Sequence, residues 1–532
     1  AQHVFRGAQI GWSTAYSEAL HNVVSVAETP DPIELRGALD LERSLKWLSI
    51  LPFLLLRKPP SHGKVPASHL KAIIRRRLDQ YFAGDLSGLI SDYEADVVLA
   101  QSLPKQDERT REELEKAHLE KACDLASRFQ MSRTRRHLQS SGLGDHTDPT
   151  IVQQMHSKHP DRKEEIPDLS DEEMRAPRKG IEREVLLLEI RRLKHDVAPG
   201  LGGLRNEHIL ALDLNPGRAL TPMAKDAIDN LCSFANIVVK VELPSYFYCG
   251  WVATRLVPAN KCDPDDLPDG QVPDCRPVNI GTALRRVITR AYIDKSLVDT
   301  FNSVLAPVQN GVGIRNGISI TAFGVIATLE ANPNFALFQG DLKNGFNEVK
   351  RASIIRSLIK QGCFGSSLAF IHATLVPHAY IGMGSGTGIV TAPFFCSDGV
   401  QQGDPFSGFL FSSATNDSFQ TFNDELAPHG GVVSSIMDDN YSLAPSAILF
   451  PAVEHFKVNL DDVGLQLTES KSKCYIRPGL RNALWDEHRG DIPNGVLKDS
   501  DGNDMLDDNG SRQYGIGVCN IPVGDSNFIL GY

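Results

Sequence analysis

The sequence predicts an α+β fold, and three observations carry that reading. The stretch Ser-Ser-Ile436-Met437-Asp438-Asp439-Asn-Tyr-Ser-Leu alternates apolar and polar residues on both sides of two adjacent aspartates, the pattern of two short strands joined by a tight turn. Phe335 to Gly340 forms a second apolar run that ends at Asp341 and gives way to a helical pattern of Val349, Ile354, Ile355, Leu358 and Ile359. The N-terminal part is instead dominated by helical periodicity, so a mostly helical region precedes the sheet.

Taken in order, residues 1–138 read as that helical N-terminal region. Residues 1–50 are a Trp-containing helical start with no functional signature. The most apolar run, Trp47 to Leu56, is broken by Pro52 and is too short to span a bilayer, so no membrane partner is expected. Residues 67–82 form a basic amphipathic helix with Leu70, Ile73, Ile74, Leu78 and Tyr81 on the apolar face. Residues 107–138 alternate charge, as in Glu108-Arg-Thr-Arg-Glu-Glu-Leu-Glu-Lys116, which reads as one exposed helix with i,i+4 pairs. The polar stretch 139–180 has the Gly, Pro and Asp content of a linker. A helix then begins near Ile181 and opens a lead-in and strand-bearing region over 181–340, followed by the acid-bearing region 341–532.

Adjacent carboxylates repel, and apolar flanks raise the cost of their charge. A hard divalent cation relieves that repulsion by taking oxygen ligands. Asp-Asp-Asn is also ordinary exposed-turn chemistry, so the pair alone decides little. Asp341 adds a carboxylate from a separate element, which two metal ions ~3.5–4 Å apart would require. Between them lies Gly399-Val400-Gln401-Gln402-Gly403-Asp404-Pro405-Phe406-Ser407-Gly408-Phe409, where a Gly-Asp-Pro turn leads into an apolar helix. The ordered set is far more specific than any single member.

That order resembles the reverse transcriptases of non-LTR (LINE-like) retrotransposons. Asp341-Leu342-Lys343-Asn344-Gly345-Phe346-Asn347 looks like their motif A, Gln402-Gly403-Asp404-Pro405 like motif B and Ile436-Met437-Asp438-Asp439 like motif C. Gly464 to Lys473 is similar to motif D. Upstream, Ala198-Pro199-Gly200 to Glu207, Arg276-Pro277-Val278-Asn279 and Gln309-Asn310-Gly311 resemble further blocks of that family, and Gly517-Val518 with Ile521-Pro522-Val523-Gly524 looks like its primer-grip hairpin. The resemblance covers roughly 190–532. Departures fall at Leu201, Gly202, Asn347, Gly408 and Ile436, and none removes an acid of the set.

The resemblance implies right-hand fingers and palm, the palm an antiparallel sheet backed by helices. It implies transfer of a nucleotide from a dNTP to the 3′-hydroxyl of a DNA primer on an RNA template, with two Mg²⁺ ions and Mn²⁺ as a substitute. Asp341, Asp438 and Asp439 would be the metal ligands, with the Leu342 carbonyl completing one shell. Arg276 would clamp the triphosphate through its guanidinium fork, and Lys261 is a second candidate or a solvated hairpin residue. Phe346 would lie under the sugar and exclude a 2′-hydroxyl, or else be a core aromatic. Gln402 and Gly403 would flank the templating pair. Lys471 would protonate the departing pyrophosphate, a role for which Lys473 competes, and either could instead be solvated.

Net charge is −11, with 26 Lys and Arg against 27 Asp and Glu over residues 1–180 and 29 against 39 over the rest. A nucleic-acid enzyme usually presents a basic footprint, so local patches would have to bind. Arg57, Lys58, Lys64, Lys71, Arg75, Arg76 and Arg77 form the best such patch, a template-binding arm or a solvated helix face. The nine cysteines contain no C-x-x-C pair, which excludes zinc fingers and fits buried thiols in a reducing compartment. The chain starts at Ala1 and stops just past the grip-like block, so a piece of a longer polyprotein is expected, acting in the nucleus as such elements do. Rival readings are a catalytically silent nucleic-acid-binding derivative, an RNA-dependent RNA polymerase and an intron maturase. Phe346 speaks against the RNA polymerase.

Overall fold

The computed structural model describes residues 6–28, 34–61, 65–102, 111–127, 131–213, 220–268, 270–384, 390–468, 471–476 and 517–520. Two compact units account for it. One gathers residues 1–157, 180–291 and 380–394, the other 158–179, 292–379 and 395–532.

The first unit is mostly helical, as expected for the N-terminal region. Helix Arg6–Glu28 packs against Pro222–Val239 and Glu34–Leu56. Trp12, wholly buried, donates its indole N–H to the His208 carbonyl at 2.8 Å. The basic amphipathic helix occupies Ala67–Phe82 with Leu70, Ile74 and Leu78 buried. Its charge is another matter, because Arg77 is buried with them. Arg57 and Arg77 both donate to Asp96, at 2.7 and 2.9 Å, and Arg76 pairs with Asp92. Burial pushes the Arg77 guanidinium down to about 10, Arg57 beside it adds to the fall and Asp96 opposes it. Two arginines of the expected template-binding arm therefore serve the interior, while Lys58, Lys71 and Arg75 remain exposed.

Two further expectations need correction. The helix expected over 107–138 is two, Arg111–Ser127 and Met131–Leu138. The expected linker 139–180 is built structure. Its first part holds helix Pro149–Ser157 packed on a strand, its second belongs to the other unit. Polarity misled here because several of these side chains are used within the fold, as where Gln154 donates to the Pro273 carbonyl and Arg162 to the Val376 carbonyl.

A four-stranded sheet completes the first unit, in the order β2-β1-β4-β5, with β1 Thr254–Asn260, β2 Cys275–Ile280, β4 Ala379–Gly384 and β5 Val390–Cys396. β1 runs antiparallel to β2 and parallel to β4.

The second unit is built on a five-stranded sheet ordered β6-β7-β3-β8-β9. β3 is Phe335–Gly340, β6 Val432–Ile436, β7 Asp439–Pro445, β8 Lys473–Ile476 and β9 Gly517–Asn520. Four of these strands pair antiparallel, and β9 joins β8 in parallel. Both faces are covered, which is why β3 is buried almost throughout. Val325 and Leu329 of helix Gly317–Ala331 meet Phe335, Leu337 and Leu443 on one face. Helix Ser446–Asp462 packs against β3 and β7 and against Ser407–Leu426, where Phe456 stacks on Phe422. The α+β architecture is thus a mainly antiparallel sheet backed by helices, with a helical region before it and a second, mixed sheet. Of the grip-like block, Gly517-Val518 lies on β9 and Ile521 to Gly524 lie outside the described residues.

Among the described residues no helix is long and apolar enough to cross a membrane. Cys275, Cys396 and Cys474 are buried but Cys123, Cys249 and Cys363 are exposed, so the expectation of buried thiols holds only in part.

Candidate active site

Strand register assembles the three acids. β3 pairs with β7 as far as Gly340 opposite Asn440, so Asp341 and Asp439 each lie one residue beyond the last pair at the same end of these strands. β6 and β7 close with Ile436 opposite Asp439, leaving Met437 and Asp438 as a two-residue turn. Gly345 lies against the same turn, because a Cβ there would stand 3.5 Å from the Asp438 Cβ. Asp341, Asp438 and Asp439 are all partly exposed. The backbone brings them to one end of the sheet.

That turn is braced from behind. Met437 has φ +57°, a conformation that favours glycine. The Gln309 side chain, 5% exposed, pairs with the Met437 backbone in both directions. Its Oε1 accepts from the Met437 amide at 2.7 Å and its Nε2 donates to the Met437 carbonyl at 3.3 Å. Asn310 and Ser435 extend the contact through backbone bonds of 2.7 and 2.8 Å. Gly311 must be glycine, since a Cβ would stand 2.5 Å from the Met437 nitrogen. Gly408, a departure from the family pattern, lies beside the same brace, where a Cβ would stand 2.8 Å from the Val312 side chain.

Asp341 is held by the segment after helix Ser446–Asp462. Its amide donates to the buried Ser472 hydroxyl at 3.1 Å, and its carbonyl accepts from the Thr468 amide at 2.7 Å. The Lys343 amide donates to Gln466 at 2.8 Å, so this ladder passes over the Leu342 carbonyl. Lys471 is exposed in the turn that Thr468 closes, and Lys473 is exposed on β8.

Phe346 is half-buried and stacks flat on Phe411, with centroids 4.9 Å apart and planes 11° apart. Its carbonyl accepts from the Val400 amide at 2.7 Å. Gln402 is half-buried and Gly403 exposed at φ +106°, in the turn ahead of helix Ser407–Leu426. Asp404 caps that turn through the Phe406 amide at 2.9 Å, and the Ser407 hydroxyl returns to the Gln401 carbonyl at 2.8 Å.

The other two candidates lie in the first unit. Arg276 stands exposed on β2, where Cys275, Pro277 and Asn279 take the buried positions. Lys261 pairs with Asp274 across the base of the same hairpin, with exposures of 35% and 53%, so a phosphate would compete with that carboxylate.

The donor set is three carboxylates beside a carbonyl outside the ladder, which suits a hard, oxygen-seeking cation. Among the described residues no three His, Cys, Asp or Glu side chains form a group that could hold a metal ion. The fold supplies the carriers at one sheet end and does not itself converge their carboxylates. Sequence reasoning missed the bracing roles of Gln309, Thr468 and Ser472; the Gln-x-Gly spacing was visible, and its work was not.

Residues 268–496 match the family described as reverse transcriptase (RNA-dependent DNA polymerase), so a domain of that kind is present in this part of the chain. No curated protein matches. Similar solved structures include an apo telomerase of Candida tropicalis truncated from its C-terminal domain, at 12% identity and TM-score 0.32, with 42% of this chain and 50% of that chain covered. Another is a telomerase of Candida albicans with a TWJ fragment of telomeric RNA, at 9% identity and TM-score 0.32, covering 45% and 44%. The chain thus spans half or less of the length of these telomerases.

Proposed function

We propose that the chain carries the core of an RNA-directed DNA polymerase of the non-LTR retrotransposon kind, copying an RNA template onto a DNA primer from dNTPs. The observation that supports this reading is the β3–β7–β6 register, which ends with Gly340 opposite Asn440 and Ile436 opposite Asp439 and so leaves Asp341, Asp438 and Asp439 at one end of the sheet. Asp341, Asp438 and Asp439, with the Leu342 carbonyl, would hold Mg²⁺, and Mn²⁺ would substitute. When bound, such ions activate the attacking hydroxyl and neutralise charge on the leaving group.

The chain's own residues do the rest. Phe346, fixed against Phe411, presents a ring edge that leaves no room for a ribose 2′-hydroxyl. Arg276 takes the triphosphate through its planar fork of donors. Lys261 does so only by leaving Asp274. Gln402 and Gly403 flank the templating pair, with glycine allowing close backbone approach. Lys471 gives a proton to the departing pyrophosphate, with Lys473 as its competitor. A nuclear site of action and further domains in a longer polyprotein belong to the same proposal.

Primer extension on an RNA template with Mg²⁺ tests it, comparing dNTPs with rNTPs for wild type and Asp438→Ala. Extension with dNTPs alone, lost in the variant, is the expected result. Extension with rNTPs would remove the role given to Phe346. A folded chain that binds primer–template and never extends it would be the silent binding derivative.

A further inference from the structure

We infer that residues 158–165 are a positioning strap for Phe346, so that a segment outside every polymerase motif sets the preference for dNTPs over rNTPs. This rests on the function proposed above and deepens it.

The strap belongs to the second unit and touches the loop that carries Phe346 on both sides of the ring. The Lys158 carbonyl accepts two side-chain amides, from Asn344 at 2.9 Å and from Asn347 at 2.8 Å. Asn347 is 2% exposed, so its amide has no alternative partner in water, and the Asn344 amide is shared between the Lys158 carbonyl and the Glu348 carboxylate at 3.3 Å. Further along, the Lys163 ammonium reaches the Glu348 carboxylate at 2.6 Å and the carbonyls of Glu348 and Gly464, both at 3.1 Å. Those three acceptors use all three of its protons. The Lys163 amide donates to the buried Asp398, which also accepts from the Arg351 amide at 2.7 Å.

The far side of the loop is equally closed. Gly399, at φ +69°, lies so near the Asn347 carbonyl that no Cβ fits, and Val400 holds the Phe346 carbonyl. Residues 344–348 are thus clamped between the strap and the start of the Gly-Asp-Pro turn, and the ring between them has one place to be. A carboxylate at position 347 would turn acceptor against the Lys158 carbonyl, so the amide of Asn347 is what this contact requires.

The test compares kcat/KM for dNTP and rNTP in primer extension, with unfolding midpoints as a check on folding. Asn347→Asp keeps the size and replaces a donor by an acceptor. We expect its dNTP preference to fall roughly tenfold, the scale of one buried hydrogen bond turned repulsive. Lys163→Met should move the preference the same way, and it stands in for Asn347→Asp if that variant does not fold. In a Phe346→Ala background neither change should alter the preference further, because the ring through which the strap acts is gone. A strap effect that persists without the ring, or equal losses for both sugars, overturns the inference. So does a wild type that discriminates while both variants match it. A wild type that extends with no nucleotide overturns the polymerase reading, and the strap role with it.

Discussion

The molecule contains two hairpins that the proposed chemistry needs, and they are built on opposite principles. In β6–β7 a two-residue turn carries Asp438, with its neighbour Met437 at φ +57° and pinned by the buried Gln309 amide. In β1–β2 the strands are joined by residues 261–274, an acidic connection in which Asp263 caps a short turn and Lys261 pairs with Asp274. Its useful residue, Arg276, stands on an exposed strand face. Carboxylates that must share a cation need a fixed backbone, and sterics then dictate glycines and a specific amide. A phosphate clamp needs a guanidinium fork within reach and places fewer demands on the backbone around it.

The largest effect separates the hairpins outright. Asp438→Ala or Asp341→Ala should lower the extension rate by at least ~10³-fold, about 4 kcal/mol of barrier, with the unfolding midpoint kept. A variant that still extends at a tenth of the wild-type rate would place the chemistry elsewhere.

Gly311→Ala tests the brace itself. Overpacking against the Met437 nitrogen should cost about 1–3 kcal/mol and reduce the extension rate by roughly 10–100-fold. Calorimetry and single-turnover rates together would reveal it, and unchanged values would mean that the turn tolerates movement.

At the looser hairpin the consequences should be smaller and of another kind. Arg276→Ala should raise the KM for dNTP about tenfold and leave kcat nearly unchanged, as loss of a charged hydrogen bond does. Lys261→Ala should change KM by less than about twofold, since an exposed ion pair contributes little. A larger loss for Lys261 than for Arg276 would invert their roles.

The smallest effect concerns the frame of the second unit. Burial holds His372 below its usual 6.5, against the pull of the Pro167 carbonyl and of Asp168. The folded state keeps the ring neutral while the unfolded chain takes up a proton as pH falls below about 6.5. This share of stability is therefore full above that value and lost as the pH drops towards the folded value. Unfolding midpoints at pH 7 and pH 5 should differ less in His372→Asn than in wild type.

Legibility followed the same divide. The strand ends that carry Asp341, Asp438 and Asp439 were legible because an apolar run leads into the first and alternating runs flank the other two. Helix Ala67–Phe82 was legible from its apolar stripe, yet its arginines were not, because nothing in a charge run says that Asp96 will take two of them. The stretch 139–180 read as a linker because it is polar. Its Lys158 carbonyl and Lys163 ammonium are satisfied by residues about 185 positions away, pairings that no local pattern records. Gln309 was visible as a spacing and silent about its work, since a side chain that mimics a strand partner leaves no periodic trace.

The path of the chain between the two units has a consequence for inheritance. It passes from one to the other at 157–158, 179–180, 291–292, 379–380 and 394–395, five times in all. A polypeptide begun near 190, where the family-like blocks start, would carry the acids and leave behind the strap that steadies Phe346. Each unit is built from three separated stretches of chain, so neither can be copied or excised whole as one contiguous segment.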